Sequence, residues 1–193
     1  MAKIGLTNLW WGKLTEGSDG TPTYDGAKTF GKAVSTKVDV TNNDATLYAE
    51  DALAESDKTF NSAKVTLGVA DDDDTIFAPI LGHTVKDGDS GKGEMVRNAN
   101  DTAPYIGLGR VITKMVNGKM AYKGEFLYKV KFSEPSQDDQ TKGESVEFKT
   151  PEIEGTASSL ANGDWSAAQT FDTKDAAVSW VKNKLKATGG AGA

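Results

Sequence analysis

The sequence predicts a mainly β protein, a two-sheet antiparallel β-sandwich or barrel with a C-terminal amphipathic helix and one short helix. Three observations lead there. Several segments alternate apolar and polar residues with a period of two. Glycine is frequent, at 21 residues, and Asn-Gly pairs stand between alternating runs. Long Leu/Glu/Ala-rich segments, the raw material of a helical core, are missing. At 193 residues the chain fits one domain, residues 1–187, followed by a flexible Gly/Ala stub over 188–193.

Taken in order, the first strand is expected over Ile4–Leu14. It carries Trp10-Trp11, and one of two adjacent strand residues must face away from the core. Val34, Thr36, Val38 and Val40 alternate with polar neighbours and mark a second strand; Ala63, Val65, Leu67 and Val69 mark a third. A short helix starts within Asp71–Asp74, buries Ile76, Phe77, Ile80 and Leu81, and stops at Gly82. Pro79 limits it to one or two turns. The strongest signal is a long hairpin. Tyr105–Val116 and Lys119–Phe132 flank Asn117-Gly118, the preferred dipeptide of a type I′ turn.

Further strands are expected over Glu144–Lys149, Glu152–Ser159 and Trp165–Phe171, with Asn162-Gly163 between the last two. Gly155 inside a strand marks a bulge or a close backbone approach. The final helix is capped by Asp172, with Asp175 three residues on. It carries an apolar stripe of Ala177, Trp180, Val181 and Leu185, and has Lys182, Lys184 and Lys186 at its C-terminal end. Polar linkers are expected at Glu16–Gly26, Asn42–Asn61, Lys86–Glu94 and Ser133–Gly143.

Chemistry is hard to find. There is no cysteine, which excludes disulfides, zinc thiolates and thiol nucleophiles. His83 is the only histidine, and no Gly-x-Ser-x-Gly elbow accompanies it; it reads as a helix-end residue after Gly82. Asp71–Asp74 resembles a cation trap but is better explained as carboxylates at a helix start. Asp87-Gly-Asp89-Ser-Gly91 begins like a calcium loop and then departs from it, and Gly107-Leu-Gly109 lacks the rest of a dinucleotide fingerprint. Glu152 and Glu154 share a strand face and do not straddle a cleft. No enzyme and no cofactor are expected. With 22 Lys+Arg against 28 Asp+Glu, a formal net charge of −6 argues against a surface built to grip phosphates. The start lacks a signal-peptide pattern, so folding in a cytoplasm is expected.

Some features do ask for a partner. Neither Pro nor a bulge is expected in the hairpin between Tyr105 and Phe132, so its strands are either central and paired or open to strands of neighbouring copies. Residues 42–61 form an extended loop too long for a simple turn. Its Leu47, Tyr48, Ala49 and Leu53, interspersed with Glu50 and Asp51, suit a segment that docks on another subunit or folds back over its own sheet. On the hairpin, Lys119, Lys123, Glu125, Lys129 and Lys131 are expected on one face, opposite Met120, Tyr122, Phe126, Tyr128, Val130 and Phe132.

Lys3-Ile-Gly-Leu-Thr-Asn-Leu-Trp10, the Val34–Val40 strand with Thr41-Asn-Asn-Asp-Ala45, Leu53-Ala-Glu-Ser-Asp57 and Val65-Thr-Leu-Gly68 carry a resemblance to a known family. So do Arg97-Asn-Ala-Asn-Asp-Thr-Ala-Pro-Tyr105, Phe126-Leu-Tyr-Lys-Val-Lys-Phe-Ser-Glu-Pro135 and Thr150-Pro-Glu-Ile-Glu-Gly-Thr156. Together these segments resemble the major tail proteins of long-tailed, non-contractile bacteriophages and prophages of Gram-positive bacteria. The resemblance covers nearly the whole chain. It implies a structural virion protein of tail-tube fold, assembled in the host cytoplasm into hexameric rings that stack as the conduit for DNA ejection. Partners implied are further copies, a tape measure inside the tube, terminator and tip proteins at its ends, and DNA in transient passage, with no membrane insertion. The 42–61 loop is then the inter-ring or inter-subunit element. The lysine-rich face either points outward or between subunits, or pairs with carboxylates of neighbouring strands in a lumen-lining hairpin. The competing reading is a non-catalytic carbohydrate- or cation-binding β-sandwich module.

Overall fold

The alternating runs become strands of unusual length. A computed structural model describes residues 2–49, 52–70, 74–86, 93–136 and 150–186. In chain order the elements are β1 (Ala2–Glu16), β2 (Pro22–Tyr24), β3 (Lys28–Thr29), β4 (Ala33–Ala49) and β5 (Ala52–Val69). There follow α1 (Asp74–Leu81), β6 (Thr84–Lys86), β7 (Glu94–Val96), β8 (Ile106–Val116), β9 (Lys119–Phe132), β10 (Glu152–Ser158), β11 (Ser166–Phe171) and α2 (Lys174–Lys184). All described pairings are antiparallel, so the protein is mainly β with two helices.

The main body is one nine-stranded sheet and not the expected two. Its order is β2-β1-β8-β9-β10-β5-β4, with β11 added on β9 and β3 on β1; β6 and β7 form a separate pair. The continuity runs through β9, which pairs with β11 from Tyr122 to Leu127 and then with β10 from Lys129 to Phe132. The sheet curls over on itself. Arg110 on β8 donates from Nη1 to Thr36 Oγ1 on β4 at 2.7 Å, although β9, β10 and β5 lie between those strands in the sheet.

The interior of the curl is the main core. Leu9, Trp11, Ile106, Leu108, Leu127, Val130 and Phe132 cluster with Val65, Leu67, Val69, Ile153 and Ala157. Phe30 and the α1 residues Phe77, Ile80 and Leu81 join the same cluster, and Gly82 ends α1 with φ of 85°. On the outer face of β8 and β9, α2 buries Ala177, Val181 and Leu185. Each such Val or Leu contributes about 1.5–3 kcal/mol. Gly109 makes this possible, because a Cβ there would lie 2.2 Å from Val181 Cγ1. Trp11 faces the interior while Trp10 lies half-buried beneath α2, which answers the question posed by the adjacent pair.

Several expectations are corrected. Residues 42–49 and 52–60 are not a loop: β4 and β5 stay paired from Asn42↔Phe60 to Ala49↔Ala52, so cross-strand hydrogen bonds satisfy a backbone whose polar side chains had suggested a linker. Within Glu16–Gly26, Pro22–Tyr24 folds back onto β1 as β2. The α2 cap is Thr173, not Asp172; its extended backbone (φ −122°, ψ 147°) lets Oγ1 accept from Ala176 N–H. The long hairpin is not open. β8 is paired along its length with β1, and β9 with β10 and β11. Asn117 and Gly118, both at positive φ, form its turn as predicted. Gly155 is a close approach, with a Cβ position 2.7 Å from the Phe132 ring. The strand expected over Glu144–Lys149, Asp71–Asp73, the 87–91 loop and the 188–193 stub lie outside the described residues.

Candidate assembly surfaces

The lysine-rich strand divides between two faces. Ile106 pairs with Val130 and Leu108 with Leu127, so Gly107 faces two residues of β9, Tyr128 and Lys129. This is a β-bulge, and it reverses the alternation for the rest of the strand. Before it, Lys123, Glu125 and Leu127 lie on the interior side and Phe126 and Tyr128 on the α2 side. After it, Val130 and Phe132 enter the interior and Lys129 and Lys131 emerge on the α2 side. The expected single face of five charged residues does not exist, because the bulge breaks the period on which it rested.

The two groups have different electrostatics. On the interior side, Glu125 Oε2 accepts from Arg110 Nε at 2.8 Å and Nη2 at 2.5 Å, and Glu125 Oε1 accepts from Lys123. Burial pushes the Glu125 carboxyl up, but Lys123 and the Arg110 guanidinium outweigh it and hold the group below its ordinary value. Arg110 and Glu125 are only 13% and 17% exposed, so this network closes one end of the apolar interior instead of presenting charge to a partner. On the α2 side, Lys129 donates to Glu16 Oε2 at 2.6 Å, and Glu16 also accepts from Ala161 N–H. Those bonds lower the Glu16 carboxyl. Lys131 and Lys129 both lie over the Tyr105 ring. Lys119 is exposed beside the hairpin turn, opposite Val116.

The 42–61 candidates sit on a ribbon. Leu47 pairs with Glu55, Tyr48 with Leu53 and Ala49 with Ala52, with a register shift between Leu47 and Tyr48; Glu50 and Asp51 lie outside the described residues. The ribbon grows out of the body at Phe60, whose ring stacks on Trp165 at 4.4 Å. Beyond it the pairing continues from Asn43↔Thr59 to Ala49↔Ala52, about 20 Å at roughly 3.3 Å per residue. β4 ends the strand order, so its outer edge has no hydrogen-bonded strand partner among the described residues, although β1 comes close to it.

One site had no signal in the sequence. His83 follows α1, where its N–H donates to the Ala78 carbonyl as a helix-end residue should. Its ring is buried between two carboxylates, with Asp101 Oδ2 at 2.7 Å from Nδ1 and Glu134 against Nε2; Arg97 approaches Glu134 at 3.8 Å. Asp101 and Glu134 are 18 and 51 residues away along the chain, a separation no local pattern encodes. Among the described residues no group of three or more His, Asp or Glu has the arrangement of a metal site. No protein-family model and no curated protein matches the chain.

Proposed function

We propose that this chain is a non-enzymatic structural subunit that assembles with copies of itself, a virion tail-tube protein. Its hexameric rings stack into the conduit for DNA ejection. The observation that carries this reading is the β4–β5 ribbon, which leaves the core at Phe60 and adds about 20 Å of paired strand. An isolated two-stranded hairpin is marginal in water, so a ribbon of this length calls for a surface to lie on. The outer edge of β4, which has no hydrogen-bonded partner among the described strands, adds a second self-association element. The family resemblance carried by Lys3–Trp10, Arg97–Tyr105 and Phe126–Pro135 supplies the ring-and-tube geometry.

A conduit must pass DNA without holding it. A net charge of −6 agrees with that in sign, and Lys123 and Lys129 are each neutralised by a carboxylate. The remaining partners under this reading are a tape measure, terminator and tip proteins, in a virion tail built in the bacterial cytoplasm. Negative-stain microscopy of the purified protein at rising concentration tests it. Rings or tubes of uniform width are the expected result; a monomer at every concentration and salt would refute it.

A further inference from the structure

Lysines and aromatic rings alternate along the α2 side of the molecule. Lys182 Nζ lies 4.2 Å from the centre of the Trp10 ring. Lys184 Nζ sits 5.5 Å from Tyr128 and 5.6 Å from Trp180, and donates to the Tyr128 hydroxyl at 3.2 Å. Next along β9, Lys129 and Lys131 lie over Tyr105 at 4.9 and 5.4 Å, and Tyr105 itself is 43% exposed. Trp10, Tyr128 and Trp180 pack against one cluster, so the row is continuous from the last turn of α2 to the end of β9. Lys129 has Glu16 as counter-ion, whereas Lys131, Lys182 and Lys184 have no carboxylate partner among the described residues.

An ammonium resting on a ring keeps N–H donors free on its outer side while its stem is already ordered. A row of them is a prepared seat for an extended acidic segment. The chain contains one. Residues 42–61 hold five carboxylates against a single lysine, in a protein whose whole net charge is −6. In the register Asp57 stands opposite Ala45 and Glu55 opposite Leu47, and no third strand is hydrogen-bonded to the ribbon among the described residues. The ribbon belongs to the far wall of the curl. Thr36 of β4 meets the interior side chain of Arg110, while α2 covers the opposite face of β8 at Gly109 and Val111. The base of β4 at Thr36 therefore lies across the core from the face that α2 covers.

We propose that the lysine–aromatic row formed by Lys131, Lys182 and Lys184 with Tyr105, Tyr128 and Trp10 is the docking surface for the acidic β4–β5 ribbon of a second copy. This rests on the self-assembly reading above and names the contact that would make it. Charge steers the approach and the aromatic rings add apolar contact once the strands are seated.

The test uses the full chain, half of it labelled with 15N, mixed and allowed to assemble, then joined with a carbodiimide that links amines to carboxylates at zero length. Peptides of mixed isotope are expected to join Lys131, Lys182 or Lys184 to Asp44, Glu55 or Asp57. Mixed-isotope links that avoid either set, or links found only within one isotope, overturn the proposal. A second measurement covers the fold. Lys131→Glu with Lys182→Glu is expected to keep the wild-type circular dichroism spectrum and lose assembly, and mixing it with Glu55→Lys/Asp57→Lys protein is expected to restore assembly. Unchanged assembly by the first variant overturns the pairing while leaving self-assembly intact. Wild-type protein that never associates refutes both readings. Duplex DNA that shields these lysines from amine modification, in the absence of assembly, assigns the row to nucleic acid instead.

Discussion

At the scale of single residues, His83 shows how tertiary structure creates a titrating group from a bland position. A neutral imidazole donates from one nitrogen only, yet both ring nitrogens of His83 face carboxylates. Burial pushes its pKa down, but the hydrogen bonds to Asp101 and Glu134 outweigh this and hold it above its ordinary value. Asp101 is lowered by the same contact and by the Asn98 N–H. A raised histidine stabilises fully below its unfolded pKa and loses that contribution as pH rises through the folded value. A lowered aspartate does the reverse, losing its contribution as pH falls through its folded value. The clamp is thus strongest in mildly acidic solution. Urea denaturation is expected to show wild type losing stability as pH rises from mildly acidic through neutral, and His83→Gln losing less over the same rise. Parallel curves for the two proteins would contradict the assignment.

At the scale of elements, the ribbon and the body are held by different forces. The body strands bury side chains on the interior core, and β5 contributes Ala63, Val65, Leu67 and Val69 to it. The ribbon beyond Asn43↔Thr59 has cross-strand hydrogen bonds and no third strand among the described residues. Replacing residues 44–58 by an Asn-Gly turn closes the hairpin without touching Phe60 or its stacking on Trp165. The shortened protein is expected to fold with a melting temperature within a few degrees of wild type, roughly the shift of a change under 1 kcal/mol, and to form no rings or tubes. Tubes of normal length from this variant would remove the ribbon from the assembly mechanism. The bulge at Tyr128–Lys129 is an element-scale device as well. By reversing the alternation it sends Lys129 and Lys131 to the α2 side and keeps Val130 and Phe132 in the core.

At the scale of the whole molecule, the hydrogen-bonded sheet does not divide. β9 carries β8 on one side and both β10 and β11 on the other, and β10 carries β5. The walls of the curl also share one apolar interior. Such a body has no internal boundary at which half could melt alone, so the unassembled protein is expected to unfold in one transition. Coincident far-ultraviolet circular dichroism and tryptophan fluorescence curves check this; a plateau in either would indicate separable parts.

By itself the sequence determined the elements whose signals are local. Alternation placed β9 and the Ala63–Val69 part of β5, Asn117-Gly118 placed the turn between β8 and β9, and the stripe of Ala177, Val181 and Leu185 placed the buried face of α2. Even there, the cap falls one residue from the expected one, at Thr173, whose Oγ1 accepts from Ala176 N–H. Tertiary structure alone decided that one sheet curls into both walls, that residues 42–49 pair with 52–60, that the lysines part company at a bulge, and that His83 meets Asp101 and Glu134. The physical reason is common to all four. Period and propensity act over a few residues, whereas strand partners, bulges and buried ion pairs depend on what distant segments bring to the same place.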